Sequence, residues 1–157
     1  MGDEYEITVQ VQLPADADGF LRRECPHCMR TFKWHEGPAN EAAEEVGQPA
    51  SYSCPLCGKP SPEGSWYTPE QLDYLEQAVT PSAFAAVGDA LETAFEGMSG
   101  VKYERGDEIA ADAPAPLVEP DDMTIVASPC HDYEPVKVPA DHVGTLYCLV
   151  CGSAFTV

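Results

Sequence analysis

Residues 4–13 alternate without a slip: Tyr5, Ile7, Val9, Val11 and Leu13 are apolar, and Glu4, Glu6, Thr8, Gln10 and Gln12 are polar. A period of two predicts a half-buried strand, and Pro14 ends it. Further on the period changes. Thr68-Pro69-Glu70-Gln71 is a helix start, since Thr68 can cap, Pro69 suits the first helical position and Gln71 completes a capping box. Leu72, Leu75 and Val79 then recur at helical spacing. Thr80-Pro81 predicts an interruption, and Phe84, Val87, Leu91, Phe95 and Met98 predict a second helix that stops near Gly97 and Gly100. Short strands are expected at Val101–Glu104, at Met123–Ala127, and as a pair within Thr145–Val157 turning at Cys148-Leu149-Val150-Cys151-Gly152. The composition of Asn40–Glu45 fits a helical turn or a mobile insertion equally well. Residues 106–122 carry Pro114, Pro116 and Pro120 among six acids, the composition of an extended acidic linker.

Composition narrows this outline. With 15 Pro and 12 Gly in 157 residues, many turns and short elements are expected rather than one large core. The 27 acids against 8 Lys and Arg give a formal charge of −19. That excess excludes a whole-surface binder of nucleic acid or anionic membrane, because Lys and Arg must replace the cations around phosphate. No stretch approaches the roughly 20 apolar residues that span a bilayer. The start, Met1 to Glu6, is acidic where a signal peptide is basic and then apolar, so the expected location is cytoplasmic. In a reducing compartment seven cysteines point to metal rather than to a disulfide framework.

Cys25-Pro26-His27-Cys28 and Cys54-Pro55-Leu56-Cys57-Gly58 are C-x-x-C pairs with 25 residues between them. Each lets two sulfurs grip one ion from a tight turn, and two such turns complete a tetrahedral four-thiolate shell. Four thiolates suit Zn²⁺, with iron the lesser occupant. These residues resemble the zinc-ribbon family, in which two knuckles at the tips of short β-hairpins share one structural zinc. Cys54 to Gly58 also looks like the second knuckle of rubredoxins, which hold iron for electron transfer. Cys28, however, is followed by Met29-Arg30 and not by the Gly usual there, and with the longer hydrophilic insertion this departure favours zinc. His27 and His35 lie close by, but four sulfurs already fill a tetrahedron.

Cys148-x-x-Cys151-Gly152 is a third knuckle, which alone cannot close a site. Cys130 supplies one further ligand. The last is His131, adjacent to it, or His142, six residues before Cys148; a tight turn after Pro129 that aims Cys130 and His131 at one ion is favoured. The resemblance to zinc ribbons holds here for the downstream knuckle and departs at the upstream one, which admits an open coordination position. An open position with water describes catalytic zinc, but no H-E-x-x-H or deaminase-like motif accompanies it, and structural zinc is the heavier reading.

Charge is uneven: residues 1–67 carry −6, residues 68–122 carry −11 and residues 123–157 carry −2. Asp89, Glu92 and Glu96 fall on one helical face, most simply a solvated one. Against this trend Arg22, Arg23, Arg30 and Lys33 interleave with Phe20, Phe32 and Trp34 around the first knuckle, a pattern able to stack and neutralise a single strand. Trp66-Tyr67 and Phe84/Phe95 are the expected packing between ribbon and helices.

The expected fold is a small, metal-stabilised α+β protein with two zinc ribbons of short antiparallel strands, joined by a helical segment and an acidic linker. Residues 1–67 hold the N-terminal strand and first ribbon, 68–105 a helical segment packed on it, 106–122 the linker and 123–157 the second ribbon. The expected metal ligands are Cys25, Cys28, Cys54 and Cys57, then Cys130, His131, Cys148 and Cys151, for two Zn²⁺. The expected role is a non-enzymatic adaptor or regulator whose partner is another protein, a basic one in the sharpest form, with no membrane partner. The alternatives are a nucleic-acid accessory using Arg22, Arg23, Arg30 and Lys33, and a rubredoxin-like electron carrier.

Overall fold

A computed structural model describes residues 11–104, 106 and 114–157. The strand expected at 4–13 falls mainly on residues 1–10, and part of the expected linker on 107–113, outside the described residues. In chain order the elements are β1 (Phe20–Glu24), β2 (Thr31–His35), α1 (Glu41–Val46), β3 (Ser51–Ser53), β4 (Pro60–Pro62), a 3-10 turn (Glu63–Ser65), α2 (Pro69–Phe95), β5 (Met123–Val126), β6 (Val136–Pro139), β7 (Leu146–Tyr147) and β8 (Ala154–Phe155). They form two compact units. Leu13–Pro69 and Leu117–Val157 make one, and α2 belongs to the other.

The first unit does not keep its two cysteine-bearing halves apart, as successive ribbons on a linker would. Strands β1, β2, β6 and β5 form one antiparallel sheet in that order, so a hairpin from residues 20–35 is extended by strands from residues 123–139. The join is the register Lys33↔Lys137 and Trp34↔Val136. Alternation divides the sheet into two faces. Leu21, Phe32, Trp34, Val136 and Val138 are buried, and all but Leu21 belong to a core that also contains Tyr52, Cys54, Leu56, Trp66, Leu146 and Leu149. Trp66 is fully buried, its ring edge-on to Phe32 and Trp34 at 5.7 and 5.6 Å, while Tyr52 stacks on Trp34 at 4.7 Å.

The other face is unusual because it is a row of cations. Arg22 lies opposite Lys33, and Lys33 opposite Lys137. Like charges directly opposite one another repel, and burial raises the cost of each. The chain answers with carboxylates from two directions. Asp16 Oδ2 accepts from Lys33 Nζ at 3.1 Å and from Lys137 Nζ at 2.9 Å. Asp18 takes Lys137 at 2.6 Å, and Glu119 and Asp122 take both Lys33 and Arg22. Residues 119–122, read from composition as linker, are therefore strapped onto the sheet by charge.

In the second unit α2 runs unbroken from Pro69 to Phe95, where an interruption at Thr80-Pro81 was expected. Pro81 removes one backbone donor, and Thr80 Oγ1 donates to the Glu76 carbonyl at 2.7 Å. The helix starts directly after Thr68 and ends just before Gly97, where its predicted caps lie. It contains five acids and no Lys or Arg. Leu72, Val79, Phe84, Val87 and Leu91 are all exposed, and Phe95 stacks on Tyr103 at 5.6 Å. Val101–Glu104 forms no strand.

Candidate metal centres

Three hairpins carry a C-x-x-C pair at the tip: β1–β2, β3–β4 and β7–β8. All three tips are built alike. The amide of the first cysteine donates five residues ahead, Cys25 to Arg30, Cys54 to Lys59 and Cys148 to Ser153, at 2.9–3.0 Å. The residue after the second cysteine donates back to the first cysteine's carbonyl: Met29 to Cys25, Gly58 to Cys54 and Gly152 to Cys148, at 2.8–2.9 Å. Closing this ring requires a left-handed residue, which glycine adopts without strain, and φ is 77° at Gly58 and 74° at Gly152. Met29 holds the same conformation at φ 59°. The departure from Gly at this position therefore leaves the backbone path unchanged and says nothing about which metal is held.

The β1–β2 and β3–β4 tips bring Cys25, Cys28, Cys54 and Cys57 together with ligand atoms all within 4.8 Å. Sγ of Cys25 and Cys57 are 3.7 Å apart, and of Cys28 and Cys54 3.9 Å. A tetrahedral ion with metal–sulfur bonds of about 2.3 Å separates its sulfurs by about 3.8 Å, whereas a disulfide requires about 2.05 Å. Amides support the sulfurs, with His27 N and Cys28 N donating to Cys25 Sγ and Leu56 N to Cys54 Sγ, at 3.4–3.5 Å. Cys25 and Cys54 have no solvent exposure. Burial pushes both of these thiols up despite those amides. Burial opposes ionisation of Cys28 too, but hydrogen bonds from the Arg30 backbone and side chain outweigh it and bring that thiol down to about 7. Buried thiolates this close repel unless a cation sits among them, so the donor set fits a divalent metal. His27 lies outside the shell, with Nε2 2.9 Å from Ser61 Oγ.

The second cluster is Cys130, His131, Cys148 and Cys151, again within 4.8 Å. The loop between β5 and β6 supplies the first two and the β7–β8 tip the others. Sγ of Cys130 and Cys151 are 3.5 Å apart, and His131 Nδ1 is 3.4 Å from Cys148 Sγ. The turn after Pro129 does aim adjacent side chains at one point, and Ser128 holds it: its hydroxyl donates to Cys148 Sγ at 3.2 Å and accepts from the His131 amide at 3.3 Å. No spacing rule singles out Ser128. His142 Nε2 instead lies 3.3 Å from the Thr145 carbonyl, outside the cluster. With His131 the cluster offers four protein ligand atoms, the number a tetrahedral ion takes. This cluster is more open than the first, since Cys130 and Cys151 are exposed and only Cys148 is buried. Ser153 hydrogen bonds bring the Cys151 thiol down to about 6.

The residues expected to touch nucleic acid are placed otherwise. Lys33 is completely buried in its carboxylate cluster, and Arg22 is bound by Glu119 and Asp122. Arg30 Nη2 donates to the Leu56 carbonyl at 2.8 Å, clamping one knuckle of the first cluster to the other. Arg23 lies over the Trp34 ring at 4.4 Å, with its Nε buried and without a hydrogen-bond partner. Among the described residues no helix is long and apolar enough to cross a membrane.

Two cysteine-rich groups able to hold metal, on short antiparallel strands, make a zinc-ribbon-like arrangement. No protein-family model, curated protein or solved structure matches this chain.

Proposed function

We propose that the protein is a zinc-stabilised, non-enzymatic adaptor that works in a reducing compartment through protein contacts. The observation that carries this reading is that each cluster offers four protein ligands, leaving no coordination position for water or substrate, as structural zinc requires. The zinc would supply folding energy to strands of two to five residues, which cannot hold their shape alone. The face left to a partner is that of α2, where exposed Leu72, Phe84, Val87 and Leu91 accompany five acids and no base. Such a surface suits a partial amphipathic partner with basic residues. The nucleic-acid alternative loses support from the internal pairing of Arg22 and Lys33.

Elemental analysis of the native protein should give close to two zinc per chain, in a colourless preparation; a red one holding iron would favour the electron-carrier alternative. Proteins captured from a cell extract by the intact chain should be lost with Phe84→Asp/Val87→Asp. Capture that is indifferent to this substitution, or salt-dependent retention on single-stranded nucleic acid, would refute the adaptor reading.

A further inference from the structure

The tips that carry Cys54/Cys57 and Cys148/Cys151 belong to different metal clusters, yet they are bonded to each other. The Ser53 amide donates to the Leu149 carbonyl at 2.8 Å, and the Tyr147 amide donates to the Pro55 carbonyl at 2.9 Å. Ser53 and Tyr147 each precede the first cysteine of their pair, and Pro55 and Leu149 each follow it. The two bonds are thus related by a local two-fold exchange of one knuckle for the other. The glycines obey the same exchange. A Cβ on Gly58 would lie 2.8 Å from the Tyr147 ring, and one on Gly152 would lie 3.0 Å from Ser53 Oγ. Leu56, Leu146 and Leu149 are buried in one core with Cys54.

We propose that this reciprocal pairing couples the two metal sites, so that each binds its ion more tightly when the other is filled. The proposal rests on both clusters holding zinc. Strands β3, β4, β7 and β8 have only two or three residues each, too few to fix a tip without the ion. An ion that orders one tip fixes Ser53 and Pro55, or Tyr147 and Leu149, and so presents both backbone partners to the other tip already aligned. The ordering cost at the second site is reduced by what the first has met, which is positive cooperativity. Reciprocity follows, because a coupling free energy acts equally in both directions. The sites differ in access: Cys130 and Cys151 are exposed, while Cys25 and Cys54 are buried. A chelator therefore strips the second site first, and that loss weakens the first site from within the fold.

The test uses the full chain, stripped of metal under reducing conditions and titrated with Zn²⁺ against a competing chelator. In Cys130→Ser/Cys151→Ser, which disables the second site without touching the paired amides and carbonyls, Zn²⁺ affinity at the first site should fall roughly tenfold, the scale of two neutral hydrogen bonds partly relayed. Cys28→Ser/Cys57→Ser should weaken the second site by the same factor. Titration of the unaltered chain with Co²⁺ gives a readout free of variants, because four-sulfur and three-sulfur-one-nitrogen sites have different absorption bands. Under coupling, the weaker site fills more steeply after the stronger one than two independent affinities allow. Bands that fill in sequence with independent affinities, and an unchanged first-site affinity in the double variant, would overturn the coupling while leaving zinc binding intact. Failure of the unaltered chain to take up metal at either site would overturn the zinc reading and the coupling with it.

Discussion

Replacing Asp16 by Asn probes what holds the cation row in place. Asp16 has no side-chain exposure, and its carboxylate bridges two buried ammonium groups that the sheet register sets opposite each other. It also accepts the amides of Asp18 and Phe20 at 3.0 Å. At about 3 Å and an effective dielectric constant near 20, each contact is worth about 5 kcal/mol before desolvation. Removing the charge also exposes the Lys33–Lys137 repulsion, softened because Lys33 keeps Glu119 and Asp122 and Lys137 keeps Asp18. Broken buried pairs of this kind cost about 3–5 kcal/mol, and Asn, which retains a carbonyl acceptor, belongs at the lower end. For a unit of about 100 residues, 3 kcal/mol lowers Tm by about 12–24 °C. The assay is thermal unfolding of zinc-loaded protein at pH 7, with Lys33→Met and the double variant completing a cycle in which the losses add to less than their sum.

Proton linkage gives the same experiment a sign. Burial raises the Asp16 pKa, but the lysine and amide hydrogen bonds outweigh it and hold the carboxyl well below the usual carboxylate range. Its contribution is therefore complete above the unfolded value near 4 and is lost as pH falls through the lower folded value. Asp16→Asn should lose stability at pH 7 and show a shallower further loss below pH 4 than the parent chain. A Tm within about 2 °C of the parent at pH 7 would show that the row does not depend on its shared counter-ion, and would refute this account.

Two further outcomes test the metal centres. Met29 is largely exposed in a left-handed turn, so Met29→Gly should stabilise the zinc-loaded protein by about 0.5–1 kcal/mol in a denaturant titration; a loss of stability would mean that the Met29 side chain contributes more than its strain costs. His131→Ala should weaken Zn²⁺ uptake at the second site about 10-fold or more, while His142→Ala leaves two ions bound; equal effects in competition titrations would contradict the assignment of His131.

The three cysteine pairs were legible because a knuckle is local. Cysteine spacing reports a turn that closes within six residues, and the same turn occurs at Cys25, Cys54 and Cys148. The start and stop of α2 were legible for the same reason, through Thr68-Pro69 and Gly97. The break expected at Pro81 was not observed, because the loss of one donor did not end the helix.

What the sequence by itself determined, then, is the chemistry of short segments: which cysteines make knuckles, where hairpins turn, and that the chain is strongly acidic. Tertiary structure decided everything that depends on partners distant in sequence. It joined residues 20–35 to residues 123–139 in one sheet, and it gathered His131 and not His142 with three sulfurs. It also converted an apparently basic surface into a buried ion cluster by bringing Asp16, Glu119 and Asp122 to Arg22 and Lys33. The physical reason is common to all three. A hydrogen-bond ladder, a coordination shell and an ion pair are each set by distance in space, and neither a separation of about a hundred residues, as between Arg22 and Glu119, nor a choice between two histidines upstream of one knuckle leaves a periodicity or spacing from which that distance can be read.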